Sequence, residues 1–237
     1  MADKTLLMIV AVGDAAFYPM TLPRLGALAN LMGSDLVIVR DAAWAAGMSD
    51  YSVSTHAWLK ISQLPRFLPY YERIIAMDAD ILPNFANVRS REDLEPLLVG
   101  PSAIARDHGD GVTDDVFADW CRRRMPRGER VSPGMPYYNS GIMAMTRDFA
   151  QRLHARWEDL RPIPVERYND QDFVNWLIIA DKLPVQELPP ELNWMEPQIW
   201  DRTWATAKLV HFAGSDRKPL IRRYHEMLPH SPSLFIA

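Results

Sequence analysis

The sequence predicts an α/β fold in which helices flank a mostly parallel central sheet. Short apolar runs alternate with amphipathic segments, and the connections between them are short, a pattern typical of parallel sheets. The chain has 237 residues and a 48% hydrophobic composition. That length suits one well-packed domain, so we expect residues 1–237 to form a single unit.

The first three elements form a strand, a helix and a strand. The run "TLLMIVAV" is continuously apolar, which is typical of a strand buried on both faces. In "TLPRLGALANLMG" we expect a helix capped by Thr21, with Pro23 in its first turn and its end at Gly33. The run "DLVIVRD" predicts the second strand, and such a unit is right-handed and parallel.

Later segments continue the alternation. We expect a helix around "HAWLKISQL", buried strands in "RIIAMDAD" and "GIMAMT", and helices over "TRDFAQRLHARWEDL" and "DQDFVNWLIIAD". In the first of these last two helices, Trp157 lies on the apolar face and is expected in the core. The segment from Asp107 to Pro136 fits neither period. Its glycine, proline and charged residues predict a mobile surface loop over a site.

Composition and charge exclude several functional classes. The net charge of −4 and pI of about 5.9 leave no basic stripe for phosphate backbones, so we expect no nucleic-acid partner. A single cysteine, Cys121, excludes an internal disulfide and suits a reducing compartment. We find no run near the roughly 20 apolar residues of a membrane span and no clear signal peptide. We therefore expect a cytoplasmic protein, with peripheral membrane contact through "RKPLIRRYHEMLPH" as the alternative.

The stretch "RIIAMDADILPN" places Asp78 and Asp80 two residues apart behind an apolar strand. Alternate residues of an extended chain point the same way, so both carboxylates would meet at the carboxyl end of the strand, where open α/β sheets bind ligands. Close carboxylates repel each other unless a cation offsets their charge. A divalent cation, Mg²⁺ or Mn²⁺, with a diphosphate partner would satisfy this pattern, and a solvated turn after the strand is the alternative that the pattern alone leaves open.

Five motifs follow one another along the chain: "MDADILPN", "YYNSGIMAM", "NDQDFVNWLI", "LPPELNW" and "LVHFAGSDRKP". Together they resemble the family 8 glycosyltransferases, the group that contains glycogenin and bacterial lipopolysaccharide galactosyl- and glucosyltransferases. The resemblance spans the chain from the first strand to about Leu220. It implies the GT-A nucleotide-diphospho-sugar transferase fold, a UDP-sugar donor, and transfer of a hexose with retention of configuration. The acceptor, whether glycan, glycolipid or protein, stays unassigned.

The resemblance also implies a metal site. Asp78, Asp80 and His211 match the residues that hold Mn²⁺, or Mg²⁺, against the donor diphosphate in that family. On the residues alone, His211 in "KLVHFAG" would instead be a core histidine.

The diphosphate contact is expected from the C-terminal segment, residues 195–237, which would complete this site. Gly214 and Lys218 match the family's glycine and diphosphate-binding lysine. One more residue than usual separates them here, so Arg217 is the alternative.

The donor sugar is expected against "YYNSG". Asn139 and Ser140 match residues that touch the sugar, and Gly141 would allow a close approach of the backbone to the donor. Without the resemblance, this segment could equally be a turn before a strand.

The motif "NDQDF" supplies the expected catalytic residues. By resemblance, Asp170 holds the sugar hydroxyls, Gln171 lies near the anomeric carbon, and Asp172 is a proposed nucleophile. The sequence leaves open whether a covalent intermediate forms or the acceptor attacks on the leaving-group side. The alternative is that these acids only stabilise the first turn of a helix through its dipole.

Further residues are candidates for the donor site. By the same resemblance, Asp14 with Phe17 or Tyr18 in "GDAAFY" would contact the base, and Lys60 would reach the donor. A solvated helix lysine is the alternative for Lys60. Trp194, beside Asn193, is a candidate wall of the site.

Two other functions compete with sugar transfer. A nucleotidyltransferase would usually need a glycine-rich, basic phosphate loop after the first strand, and "AVGDAAFYPM" is neither. A non-catalytic nucleotide-sugar binding module remains open because of the shifted lysine.

Overall fold

The computed structural model describes residues 4–40, 57–107, 114–160, 170–195, 206–213 and 217–227. Nine strands lie within these residues: β1 Thr5–Val10, β2 Asp35–Val39, β3 Arg73–Asp78, β4 Ile81–Pro83, β5 Ala103–Arg106, β6 Tyr138–Thr146, β7 Gln186–Leu188, β8 Trp194–Met195 and β9 Leu209–His211. The helices of the same residues are α1 Tyr18–Met32, α2 Leu59–Ser62, α3 Glu95–Leu98, α4 Asp114–Arg124, α5 Arg147–Leu160, α6 Asp170–Ala180 and α7 Arg217–Met227. None of these helices combines the length and apolar character that a bilayer crossing requires.

The central sheet has six strands in the order β2-β1-β3-β6-β5-β7. Strand β6 is antiparallel to both of its neighbours, and the other neighbouring pairs are parallel. This confirms the predicted α/β class with a mostly parallel sheet flanked by helices. A second, smaller sheet has the order β4-β9-β8, and its strand β4 follows β3 directly in the sequence.

Strand β1 shows why the sheet carries a core on each face. Successive side chains of a strand point to opposite faces. Leu6 and Met8 join the core that also contains residues of α5 and α6, whereas Leu7 and Ile9 join the core beneath α1. Trp157 is buried in the first core, as predicted.

Helix α1 begins earlier than the sequence analysis expected. Its first residue is Tyr18, so Thr21 is buried inside the helix and is not its cap. Pro19 already occupies the second helical position, where a missing N–H costs nothing, and Pro23 falls further inside. The end is as predicted, because Gly33 adopts the left-handed conformation (φ 65°) that closes a helix.

The prediction of a surface loop from Asp107 to Pro136 was wrong for most of its described part. Helix α4 lies there, and Phe117, Trp120 and Cys121 are buried in the core. Their spacing is helical, but the charged and proline-rich flanks obscured it. Residues 108–113 lie outside the described residues.

The ends of the strands determine where a site can form. The parallel strands β1 and β3 finish at one edge of the sheet, and β6 begins at that edge because it runs in the opposite direction. Helix α6 packs against β6, and β4 and β9 pair immediately beyond β3. Side chains distant in sequence therefore converge on this edge.

The end of helix α6 is held by an ion-pair cluster. Asp181 accepts hydrogen bonds from Arg156 Nε (2.7 Å) and Nη2 (3.1 Å), and Arg127 lies 3.2 Å away. The hydrogen bonds from Arg156 lower the pKa of Asp181, burial opposes them, and the charges of Arg156 and Arg127 add to the lowering. The cluster fastens α6 to α5 and to the turn that follows α4.

We expect Asp181→Asn to lower the free energy of unfolding by about 1–2 kcal/mol at neutral pH. The folded pKa is depressed, so this stabilisation is full above the unfolded pKa of about 3.9 and is lost as the pH falls through the folded pKa. Urea unfolding at neutral and acidic pH measures the difference. Asp148→Asn, which removes a 72% exposed partner of Arg152, is the control and should change stability by less than about 0.5 kcal/mol. An Asp181→Asn effect that persists undiminished in acid would refute the electrostatic explanation.

Candidate metal centre

Three side chains meet at the carboxyl edge of the sheet: Asp78, Asp80 and His211. The His211 Nε2 atom lies 3.7 Å from Asp78 Oδ2 and 3.6 Å from Asp80 Oδ1. One ligand atom from each residue lies within 4.8 Å of the others. The structure thus brings together the three residues that the sequence analysis grouped as metal ligands.

Local strand pairing produces this arrangement. Asp78 ends β3, and β4 begins only three residues later. The pairing of β4 with β9 places Ile81 opposite His211, and the Phe212 N–H donates a hydrogen bond to the Asp80 carbonyl oxygen at 3.1 Å. The backbone therefore holds the histidine beside the second aspartate.

The donor set fits a divalent cation. Two carboxylates and an imidazole nitrogen are ligands that Mn²⁺ and Mg²⁺ accept, with water and phosphate oxygens completing the coordination. The side chains of Asp80 and His211 are each 3% exposed, whereas that of Asp78 is 34% exposed. The cluster is therefore closed on the protein side and open beside Asp78.

A buried lysine lies behind the cluster. The Lys60 ammonium is 3.0 Å from Asp78 Oδ1, 2.9 Å from Asp170 Oδ2 and 2.9 Å from the Ser140 carbonyl oxygen. These three acceptors match the three ammonium hydrogens. The alternative of a solvated helix lysine was wrong, because Lys60 is 2% exposed.

The carboxyl groups in this region outnumber the ammonium group of Lys60. Burial disfavours the Lys60 ammonium, but the charges of Asp170 and Asp78 outweigh it and hold the pKa of Lys60 above its ordinary value. Burial also raises the pKa of Asp170, against the opposing charge of Lys60. The Lys60 ammonium thus contacts the carboxyl groups of Asp78 and Asp170, and Asp80 adds a third carboxyl group to the region. Such a cluster attracts a further cation.

The first residues of β6 line the same region. Asn139 and Ser140 are buried, and Gly141 follows them against the His211 ring. A Cβ atom added to Gly141 would stand 2.2 Å from His211 Cε1 and 2.7 Å from Nδ1. The His211 ring therefore fills the space beside Gly141 in which the sequence predicted a close approach of the donor.

Gln171 is held at both ends of its amide. Its Oε1 atom accepts hydrogen bonds from Asn139 Nδ2 and the Ser140 N–H, both at 3.1 Å. Its Nε2 atom donates to Asp107 Oδ2 at 3.0 Å. The structure places Gln171 among the site residues, with its orientation fixed by three partners.

The two acids of α6 point in different directions. Residues two apart on a helix differ by about 200° in direction. Asp170 faces Lys60, whereas Asp172 accepts a hydrogen bond from the Tyr137 hydroxyl and is buried. The structure brings Asp170 to the metal cluster and places Asp172 against Tyr137.

Asp14 and Tyr18 lie further along the same edge, after β1. Asp14 is exposed, and the Tyr18 hydroxyl donates to the Val12 carbonyl oxygen at 3.0 Å. Both residues line an open cleft of about 550 Å³ that Ile38 and Arg40 also border. Strand β3 neighbours β1, so this cleft and the metal cluster share one edge of the sheet.

The C-terminal segment contributes α7, whose first two residues are Arg217 and Lys218. Gly214 lies outside the described residues. Arg24 of α1 donates from Nη2 to the His225 carbonyl oxygen at 2.9 Å and from Nε to its Nδ1 at 3.2 Å. These bonds attach α7 to α1.

Asn193 also belongs to the site, although its sequence context did not single it out. Asn193 is 4% exposed, and its Oδ1 atom lies 3.1 Å from His211 Nδ1. A polar residue inside the apolar, proline-rich "ELPPELNW" was the available signal. The Trp194 ring instead packs against the small core that contains Leu82 and Phe212.

The chain resembles known proteins in its structure. No protein-family model matches the chain, and no curated protein matches it. A glycosyltransferase involved in the glycosylation of the major capsid of PBCV-1 superposes with a TM-score of 0.64 at 14% identity, over 95% of this chain and 100% of the other.

Mouse xyloside xylosyltransferase 1, in its apo form, superposes with a TM-score of 0.50 at 16% identity, over 90% of this chain and 98% of the other. At these identities the likeness concerns the fold. The chain therefore has a GT-A type fold, as the sequence predicted.

Proposed function

We propose that the protein is a retaining, metal-dependent glycosyltransferase that moves a hexose from a UDP-sugar to a glycan, glycolipid or protein acceptor. The cluster of Asp78, Asp80 and His211 at the ligand-binding edge of a GT-A type sheet carries the proposal. The ordered motifs that resemble family 8 glycosyltransferases support the same assignment.

In this proposal Asp78, Asp80 and His211 hold Mn²⁺ or Mg²⁺. When bound, the ion supplies positive charge that offsets the diphosphate and the charge developing on the leaving nucleotide. The more exposed Asp78 lies on the side from which the donor enters.

The donor sugar lies against the start of β6 and α6. Asn139 and Ser140 contact it, and Asp170, oriented by Lys60, accepts hydrogen bonds from its hydroxyls. Gln171 stands near the anomeric carbon with a fixed amide, which suits the orientation of a reacting centre. For Asp172 to act as a nucleophile, its hydrogen bond from Tyr137 would have to break.

The nucleotide occupies the remainder of the edge. The cleft bordered by Asp14 and Tyr18 has room for the base. We assign the diphosphate contact to Lys218, or Arg217, together with Gly214, so that residues 195–237 complete the site of a single domain. The single cysteine, Cys121, is buried, which agrees with a cytoplasmic enzyme.

A nucleotide-sugar binding module without transfer is the second candidate. The internal hydrogen bonds of Gln171 and Asp172 favour it, because both candidate reacting groups are already engaged. Release of UDP from a UDP-hexose in the presence of Mn²⁺ separates the two, since a binding module retains the donor intact.

We expect UDP to bind the protein in the presence of Mn²⁺ and not in EDTA, as measured by calorimetric titration. Asp80→Asn removes a buried ligand and should weaken Mn²⁺-dependent binding by at least about 100-fold. Asp119→Asn, at a half-exposed position on α4, is the control and should bind as the wild type does. Equal UDP affinity in EDTA would remove the basis of the proposal.

Gly141→Ala tests whether the His211 ring must lie against β6. The new methyl would overlap the ring at 2.2 Å, so we expect a loss of Mn²⁺-dependent UDP affinity of about 10-fold or more and a lower Tm. Gly26→Ala is the matched control, because the nearest neighbour of its added Cβ is Leu36 Cδ2 at 3.9 Å. Unchanged UDP affinity in Gly141→Ala would show that this ring position is not needed.

A further inference from the structure

A row of buried amide side chains, linked by hydrogen bonds, ends at the His211 ring. Asn139, Gln171 and Asn193 are each at most 7% exposed, and each makes two or more hydrogen bonds within the site. Amides that far from water keep whichever orientation their partners dictate.

Two backbone N–H groups set the direction of this chain. The Gly141 N–H lies 2.9 Å from one terminal atom of the Asn139 amide, and the Ser140 N–H lies 3.1 Å from one of the Gln171 amide. A backbone N–H can only donate, so both of these atoms are oxygens. The Asn139 NH₂ group then donates to Gln171 at 3.1 Å, which agrees with both assignments.

The same logic orients Asn193. Its nearer amide atom lies 3.2 Å from the Asn139 oxygen, which accepts, so that atom belongs to the NH₂ group. The Asn193 oxygen therefore faces His211 Nδ1 at 3.1 Å. Two acceptors cannot bond each other, so Nδ1 carries a proton.

The protonation of Nδ1 determines what the other ring nitrogen can do. In a neutral imidazole with its proton on Nδ1, the lone pair is on Nε2. That atom faces Asp78 and Asp80 at 3.7 Å and 3.6 Å. In that tautomer the ring can coordinate a cation through Nε2.

We propose that Asn193 is a positioning residue that fixes His211 as the Nδ1–H tautomer, with Asn139 fixing Asn193 in turn. The proposal rests on the proposed function in that Nε2 serves the metal. Partners of this kind orient metal-binding histidines, and their loss typically weakens metal affinity by about 10–100-fold.

The first test needs neither metal nor nucleotide. Two-dimensional ¹⁵N NMR of metal-free wild-type protein labelled at histidine, at about pH 9 where an ordinary imidazole is neutral, reports the protonation of each ring nitrogen. We expect a proton on His211 Nδ1. A neutral ring that carries its proton on Nε2 alone would overturn the proposal.

The second test compares variants. Asn193→Ala should give a mixture of tautomers and an Mn²⁺ affinity about 10–100-fold lower, measured from the free-ion signal by electron paramagnetic resonance. Asn193→Asp keeps an oxygen acceptor for Nδ1 and should retain the Nδ1–H tautomer, although it loses the hydrogen bond that the Asn193 NH₂ group donates to Asn139. Asn30→Ala, at an exposed position on α1, is the control.

An Asn193→Ala variant with the wild-type tautomer and Mn²⁺ affinity would refute the assignment. A wild-type protein that shows the Nδ1–H tautomer and yet fails to bind Mn²⁺ would contradict the proposed function while supporting the role of Asn193. The two proposals can therefore fail separately.

Discussion

The ammonium group of Lys60 is the contact on which the site depends. It joins three elements, because it contacts Asp78 at the end of β3, Asp170 at the start of α6, and the backbone of Ser140 in β6. Without it, two buried or half-buried carboxylates would repel each other across that junction. Removing one partner of a buried ion pair typically costs about 3–5 kcal/mol, so loss of the Lys60 charge would destabilise this junction.

The direction of β6 and the pairing of β4 with β9 bring the other site residues together. An antiparallel β6 brings its first residues to the edge where the parallel strands end, so that Asn139 meets Gln171 of α6 and Asn193 ahead of β8. The pairing of β4 with β9 brings His211 to the same place. One side of the cluster is thus closed by amides of fixed orientation and the other is open to a ligand, an arrangement that the proposed metal-assisted transfer would use.

Local patterns in the sequence were sufficient for the buried strands β1 and β3, the core position of Trp157, and the grouping of Asp78 with Asp80. The family resemblance added His211. The sequence could not reveal the direction of β6 or the burial of Lys60, because both depend on contacts between segments far apart in the chain. A lysine on a short helix looks solvated until the acids that surround it are known, and Asn193 has no distinguishing pattern of its own.

The most direct measurement is anomalous diffraction at the manganese edge from crystals grown with Mn²⁺ and UDP. We expect one strong peak between the Asp78 and Asp80 carboxylates and His211 Nε2, with the UDP diphosphate beside it. A manganese peak elsewhere, or UDP bound at this edge with no metal at these three residues, would refute the metal site.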